Sequence, residues 1–168
     1  QARRVENASR IAFLKRHCGN GPALDVGCST GLLARQLAEA GFDVWATDVS
    51  EFACQRASEL LGAGRVFCGP VEKLAQGTGE NRVDAITLMD VIEHFEDVVT
   101  PMAAIHELLA PGGVLLLRTP TLSSPFCRLA DWSYAWSGGR YTRAIQLLYH
   151  AEHLCYFNES SIRRLLAD

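Results

Sequence analysis

At 168 residues and 18.4 kDa the chain is long enough to bury one core and short for two, so a single domain over residues 1–168 is expected. Its 48% hydrophobic and 21% charged residues exclude a disordered or fibrous chain. A net charge of -3 and a pI near 6.0 argue against a surface-wide grip on nucleic acid or anionic membrane, which leaves small molecules as the expected partners. The six cysteines, Cys18, Cys28, Cys54, Cys68, Cys127 and Cys155, include no C-x-x-C pair. Neither a zinc ribbon nor a dense disulfide framework is suggested, and reduced thiols are expected. No apolar run approaches the roughly 18 residues of a membrane span and no charged-then-apolar leader opens the chain, so a soluble cytoplasmic protein is the expectation. The chain begins at Gln1 and stops at Asp168 just after a helix-like run, as a fragment would.

Apolar periodicity predicts a surface helix from Val5 to Cys18, with Val5, Ala8, Ile11, Ala12, Leu14 and Cys18 in the stripe and Glu6, Ser9, Arg10, Arg16 and His17 opposite. Gly19, Gly21 and Pro22 end it. Ala23 to Val26 reads as a first strand, followed by a helix from Leu32 to Ala40 that Gly41 ends. Phe42 to Thr47 reads as a second strand closing with Asp48, after which Ser50 is placed to cap a helix to about Leu61.

Arg65 to Cys68 is a short third strand, with a brief helical turn from Glu72 to Ala75 and a loop from Gln76 to Asn81. Val83 to Met89 is apolar except for Asp84 and Thr87, the pattern of a strand buried on both faces. Thr100-Pro101 opens a helix to Leu109, and Pro111-Gly112-Gly113 is expected to stop it before the strand Val114 to Leu117. Strands alternating with helices through short loops predict an α/β fold, a doubly wound and mainly parallel sheet.

Beyond Pro120 the alternation fails. The stretch from Leu122 to Phe157 is rich in aromatics, among them Phe126, Trp132, Tyr134, Trp136, Tyr141, Tyr149, Tyr156 and Phe157. We read residues 120–157 as an inserted, partly helical cover at the carboxyl edge of the sheet, where such folds bind ligands. Asn158 then caps a last helix through Ile162, Leu165 and Leu166.

The loop Asp25-Val26-Gly27-Cys28-Ser29-Thr30-Gly31-Leu32 joins a strand to a helix N-terminus, the place for a nucleotide-like ligand. A dinucleotide fingerprint wants glycines where Gly27, Ser29 and Leu32 stand, so a bound pyrophosphate is disfavoured. A P-loop is excluded because no Gly-Lys-Ser/Thr follows.

The loop resembles motif I of the class I S-adenosylmethionine-dependent methyltransferases. The resemblance runs from about Ala23 to Leu117, with Asp48 ending the second strand, Ala85 to Met89 in the fourth, and Leu109-Ala110-Pro111-Gly112-Gly113 before the fifth. It departs at Ser29, where glycine is usual. The resemblance implies a Rossmann-like sheet ordered 3-2-1-4-5, five-stranded here because the family's final hairpin has no counterpart before Asp168. It also implies a cofactor site in which Asp48 accepts from the ribose hydroxyls and Asp25 helps hold the ammonium end. Gly27, Cys28, Ser29 and Gly31 would form the loop, Val49 would flank the adenine, the Val71-Glu72 turn would bound its far edge, and Met89 would close the site.

Asp90-Val91-Ile92-Glu93-His94 follows the fourth strand, and His150-Ala151-Glu152-His153 lies in the cover. The pairing is similar to that of ubiquinone-biosynthesis O-methyltransferases, and more loosely to small-RNA terminal 2′-O-methyltransferases, in which Glu-x-x-Glu-His and a later histidine hold a divalent metal. Asp90 stands where the first glutamate would be. Two mechanisms follow. His94 or His153 takes a proton from an acceptor hydroxyl, or Asp90, Glu93, His94 and His153 bind Mg²⁺ or another divalent ion that lowers the hydroxyl's pKa. Arg118, Arg128, Arg140 and Arg143 are candidates for holding an anionic substrate.

The reading is S-adenosylmethionine-dependent methyl transfer to a hydroxyl of a small metabolite. N- or C-methylation, and a catalytically idle cofactor-binding domain acting in assembly, are the alternatives.

Overall fold

A computed structural model of the chain describes residues 2–78, 82–121, 125–140, 142 and 153–167. The residues fall into two compact units, one of Gln1–Met89 with Asp97–Arg118, the other of Asp90–Glu96 with Thr119–Asp168.

In the first unit the helix α1 (Ala2–Cys18) leads into β1 (Pro22–Val26), α2 (Leu32–Glu39), β2 (Asp43–Asp48) and α3 (Glu51–Leu61). β3 (Val66–Cys68), α4 (Val71–Thr78), β4 (Val83–Met89), α5 (Val99–Leu108) and β5 (Leu109–Arg118) complete it. The strands form one all-parallel five-stranded sheet ordered β3-β2-β1-β4-β5, as the resemblance implied. β1, at the centre, pairs Asp25 with Ala46 on one side and with Thr87 on the other.

Alternation along the paired strands divides the core. Ala23, Val44, Ala46 and Ala85 share a face with Leu14 of α1, Ala34 and Leu37 of α2 and Ala57 of α3. The opposite face carries Leu24, Val26, Ile86 and Leu88, all at most 3% exposed. Both faces of β4 are covered, which is why its sequence runs apolar without a break from Ala85 to Leu88 save Thr87. Each fully buried leucine contributes about 1.5–3 kcal/mol relative to exposure.

Ser50 caps α3 as expected, accepting from the Ala53 N–H. Three expectations are corrected. The stripe of α1 is rotated, with Ala8 and Ala12 exposed and Asn7 buried. A polar network recruits Asn7: its Nδ2 donates to Gln36 Oε1 at 2.7 Å, while Arg10 donates to Asn7 Oδ1 and to Glu6. Helix α4 runs on through Gln76 and Gly77 to Thr78, so the turn expected at 72–75 is a full helix. Pro111-Gly112-Gly113 does not separate helix from strand, because pairing of β5 with β4 starts at Leu109 and resumes at Val114 across a bulge that absorbs the glycines.

The second unit holds a helical turn at Ile92–His94, α6 (Pro125–Trp136) and α7 (Glu159–Leu165). Thr121 bridges Phe157 in parallel. Asn158 accepts from the Ser161 N–H while the Ser161 hydroxyl accepts from the Asn158 N–H, closing a capping box at α7. Of the expected cover, α6 is described. His150, Tyr141, Tyr149 and Arg143 lie outside the described residues.

Candidate functional site

The loop after β1 is shaped by its neighbour β2. The N–H groups of Gly27 and Cys28 both donate to the Thr47 carbonyl, at 2.8 and 3.0 Å, and Gly31 N–H donates back to Cys28 O at 2.9 Å. The turn puts Gly27, Ser29 and Gly31 at φ of 67, 50 and 78°. Gly31 is required twice over. It starts α2 in the left-handed region, and a Cβ there would stand 2.9 Å from the Ala57 Cα of α3. Ser29 adopts the left-handed conformation despite its side chain, so the turn expected of glycine forms without it.

Asp48 ties this loop to the next helix. Its Oδ2 accepts from Ser29 N–H at 2.8 Å and its Oδ1 from Ser50 N–H at 2.9 Å. A carboxylate offers about four acceptor sites, so each oxygen keeps capacity for a further donor. Asp25, 3% exposed, accepts from the Thr87 hydroxyl at 2.5 Å. Burial pushes its carboxyl up to about 6, and the charge of Asp48 adds to the rise against the hydrogen bonds from Thr87 and the Ala34 N–H. Burial, with Asp25 and Asp48 nearby, raises the Cys28 thiol to about 12.

Of the other expected cofactor residues, Val49 is exposed beyond Asp48, Val71 is buried at the start of α4, and Met89 is half-buried at the end of β4. Thr47 and Thr87 went unassigned in the sequence, yet they hold the loop and the buried acid. For Thr87 the signal is a polar residue inside an apolar strand; Thr47 acts through its backbone carbonyl, which residue type does not mark. A cavity of about 540 Å³, lined by Leu24, Trp45, Phe67, Leu74 and Leu108, opens elsewhere, beside Pro22 and Val83 at the starts of their strands.

In the second unit, Glu93, His94 and His153 bring one carboxylate oxygen and two ring nitrogens within 4.8 Å of one another. Asp90, the fourth residue expected there, is not in this group; it follows β4 with φ 57°. Glu93 is 1% exposed, Oε2 accepts from the Thr119 hydroxyl at 2.9 Å, and Oε1 has no hydrogen-bond partner among the described residues. The rings of His94 and His153 meet edge to face at 5.0 Å. The backbone closes the group: the Glu93 carbonyl accepts from Leu154 N–H at 2.8 Å and Cys155 N–H at 3.2 Å, which fixes the segment carrying His153. A buried carboxylate oxygen lacking a donor beside two imidazoles fits a divalent cation, with nitrogen donors suited to Mn²⁺ or Zn²⁺ and the carboxylate to Mg²⁺ as well. The sequence does not single out Thr119; it marks only the end of the strand and helix alternation at Pro120.

Among the described residues no helix is long and apolar enough to cross a membrane. The chain is 32% identical to a ubiquinone biosynthesis O-methyltransferase of Caulobacter sp. (strain K31), over 68% of this chain and 52% of that protein. It is 33% identical to a protein of the same name from Nitrosospira multiformis, over 67% of this chain and 49% of that one. The chain thus spans about half the length of these curated relatives. Its fold is similar to a SAM-dependent methyltransferase from Archaeoglobus fulgidus, with TM-score 0.75 and 12% identity over 98% of this chain and 67% of that one. It is also similar to magnesium protoporphyrin IX methyltransferase from Synechocystis PCC 6803, with TM-score 0.63 and 20% identity over 97% and 70%. The family model for a methyltransferase domain matches residues 2–168, so the sheet order, the glycine loop and Asp48 are those of a chain that belongs to the methyltransferase domain family.

Proposed function

We propose that the protein transfers the methyl group of S-adenosylmethionine to a hydroxyl oxygen of a small cytoplasmic metabolite, as one methyltransferase domain with residues 120–157 covering the acceptor. The observation that carries the reading is the Glu93, His94 and His153 group, a proton-accepting or cation-holding set of the kind a hydroxyl acceptor needs. Similarity to relatives named O-methyltransferases supports the same choice over nitrogen or carbon acceptors.

For the cofactor, Asp48 accepts from the ribose hydroxyls, each charge-assisted bond worth roughly 1.5–3 kcal/mol. Asp25 faces the ammonium, Val49 and the Val71-Glu72 turn flank the adenine, and Gly27, Cys28, Ser29, Gly31 and Met89 complete the surround. The loop needs no phosphate cradle, because the ligand's tail is an amino acid. For the acceptor, His94 or His153 removes the hydroxyl proton as oxygen attacks the methyl carbon in line with the departing sulfur. A divalent ion held by Glu93, His94 and His153 would supply a lowered hydroxyl pKa when bound.

A methyl-transfer screen with labelled S-adenosylmethionine against fractionated metabolite pools tests the reaction. The expected product is a methyl ether, identified by mass and fragmentation. A methylated amine or carbon as the principal product would overturn the choice of oxygen.

A further inference from the structure

Two thiols with no place in the proposed chemistry lie at the carboxyl ends of β2 and β3. Cys68 is the last residue of β3 and pairs in register with Asp48. Cys54 lies in the first turn of α3 at 6% exposure. Its thiol donates to the Asp48 carbonyl at 3.2 Å, and Sγ stands 4.0 Å from the carbonyl oxygen of Phe67, the peptide that leads into Cys68. The Cys54 sulfur thus lies against the Phe67–Cys68 peptide, at the residue whose strand partner, Asp48, accepts its S–H. Both are free, and they are unequal, Cys68 being exposed and Cys54 buried.

We propose that Cys68 and Cys54 are an oxidisable pair, Cys68 the attacking thiol and Cys54 the resolving one, with a small disulfide such as glutathione disulfide as oxidant. Exposure sets the order, because attack on a disulfide requires a sulfur that the reagent can reach. The Cys68 thiolate bonds to one sulfur of glutathione disulfide and expels the other as glutathione thiolate. Cys54 then gives up its proton, attacks the Cys68 sulfur and releases the second glutathione. Two electrons pass from the protein to the reagent, and the two thiol protons end on two reduced glutathiones. At 6% exposure Cys54 is closed to the free reagent, and burial, with Cys68 nearby, also pushes its thiol up to about 11. Cys28 is no substitute: it is buried, and its thiol faces the Ser29 carbonyl at 3.5 Å.

The new bond joins the first turn of α3 to the end of β3. It withdraws the S–H donor from the Asp48 carbonyl, which then keeps the Gly69 N–H at 2.8 Å. Oxidation is therefore expected to weaken S-adenosylhomocysteine binding several-fold. That consequence, unlike the disulfide itself, rests on the proposed role of Asp48.

The reduced protein is equilibrated in glutathione buffers of rising oxidised fraction, quenched with acid, alkylated and mapped by intact mass and peptide analysis. The expected result is a link between Cys54 and Cys68 with the other four cysteines alkylated. The link disappears in Cys68→Ser, and Cys54→Ala and Cys54→Ser both trap one glutathione on Cys68, with circular dichroism confirming their fold. Six alkylated thiols at every poise, a stable adduct on unaltered protein, or a link through Cys28 would each overturn the pair. Calorimetry with S-adenosylhomocysteine then compares the two forms, and equal affinity overturns the coupling to Asp48. Failure of the reduced protein to bind at all would instead refute the cofactor reading, whatever the thiol map shows.

Discussion

Asp25 carries a pH signature that no surface carboxylate would. Its pKa is raised from 3.8 to about 6, so the folded state favours the protonated acid. Its contribution to stability is fully present below pH 3.8 and is lost as pH rises through about 6. The loss amounts to roughly 3 kcal/mol at neutral pH, because each tenfold change in proton affinity corresponds to about 1.36 kcal/mol. Asp25→Asn is expected to unfold at higher urea than the native protein at pH 7.5, with the advantage fading below about pH 4. If the cofactor's ammonium sits against this acid, binding favours the ionised form. S-adenosylhomocysteine affinity then tightens between pH 5 and 7 in the native protein and stays flat in Asp25→Asn, as calorimetry would show. Asp48→Ala removes the acceptor proposed for the ribose as well as the partner of the Ser29 and Ser50 N–H groups, and is expected to cost at least tenfold in affinity, about 1.4 kcal/mol. Unchanged binding would refute its role.

The elements around the loop owe their places to a few backbone demands. Gly31→Ala meets a left-handed φ of 78° and a 2.9 Å clash with Ala57 Cα, which predicts a loss of about 2–4 kcal/mol by urea unfolding. Asn158→Ala opens the capping box of α7 and should cost about 1 kcal/mol, read from the same curves. Gly31 and Asn158 were legible in the sequence because caps and turns are written in residue type at fixed offsets. The buried stripe of α1 was not. Periodicity grouped Ala8 and Ala12 with Leu14, but burial followed Asn7, whose partner Gln36 lies on another helix. Likewise Gln76-Gly77 looks like loop composition, and α4 incorporates it; α4 and α5 pack on one another, support that local propensity does not record.

At the scale of the molecule, Glu93 and His153 are 60 positions apart in sequence, and the second unit brings their ligand atoms within 4.8 Å. Should this group hold a cation, Mn²⁺ binding seen by calorimetry is expected in the native protein and lost in His153→Ala. EDTA should then abolish methyl transfer and Mg²⁺ or Mn²⁺ restore it. Turnover that survives EDTA would leave proton removal to the histidines alone.

The sequence by itself determined the α/β class and the glycine loop with its two acids, and the family resemblance implied the strand order. The class depends on short-range periods and turn residues, the loop and the order on a local motif. Tertiary structure alone decided that Thr47 and Thr87 serve the loop and Asp25, that Thr119 holds Glu93, and that Cys54 lies against the Phe67–Cys68 peptide. It also selected Glu93, His94 and His153 as a group without Asp90. Such choices turn on distances between residues far apart in the chain, and those distances follow from strand register and from which groups burial leaves needing a partner.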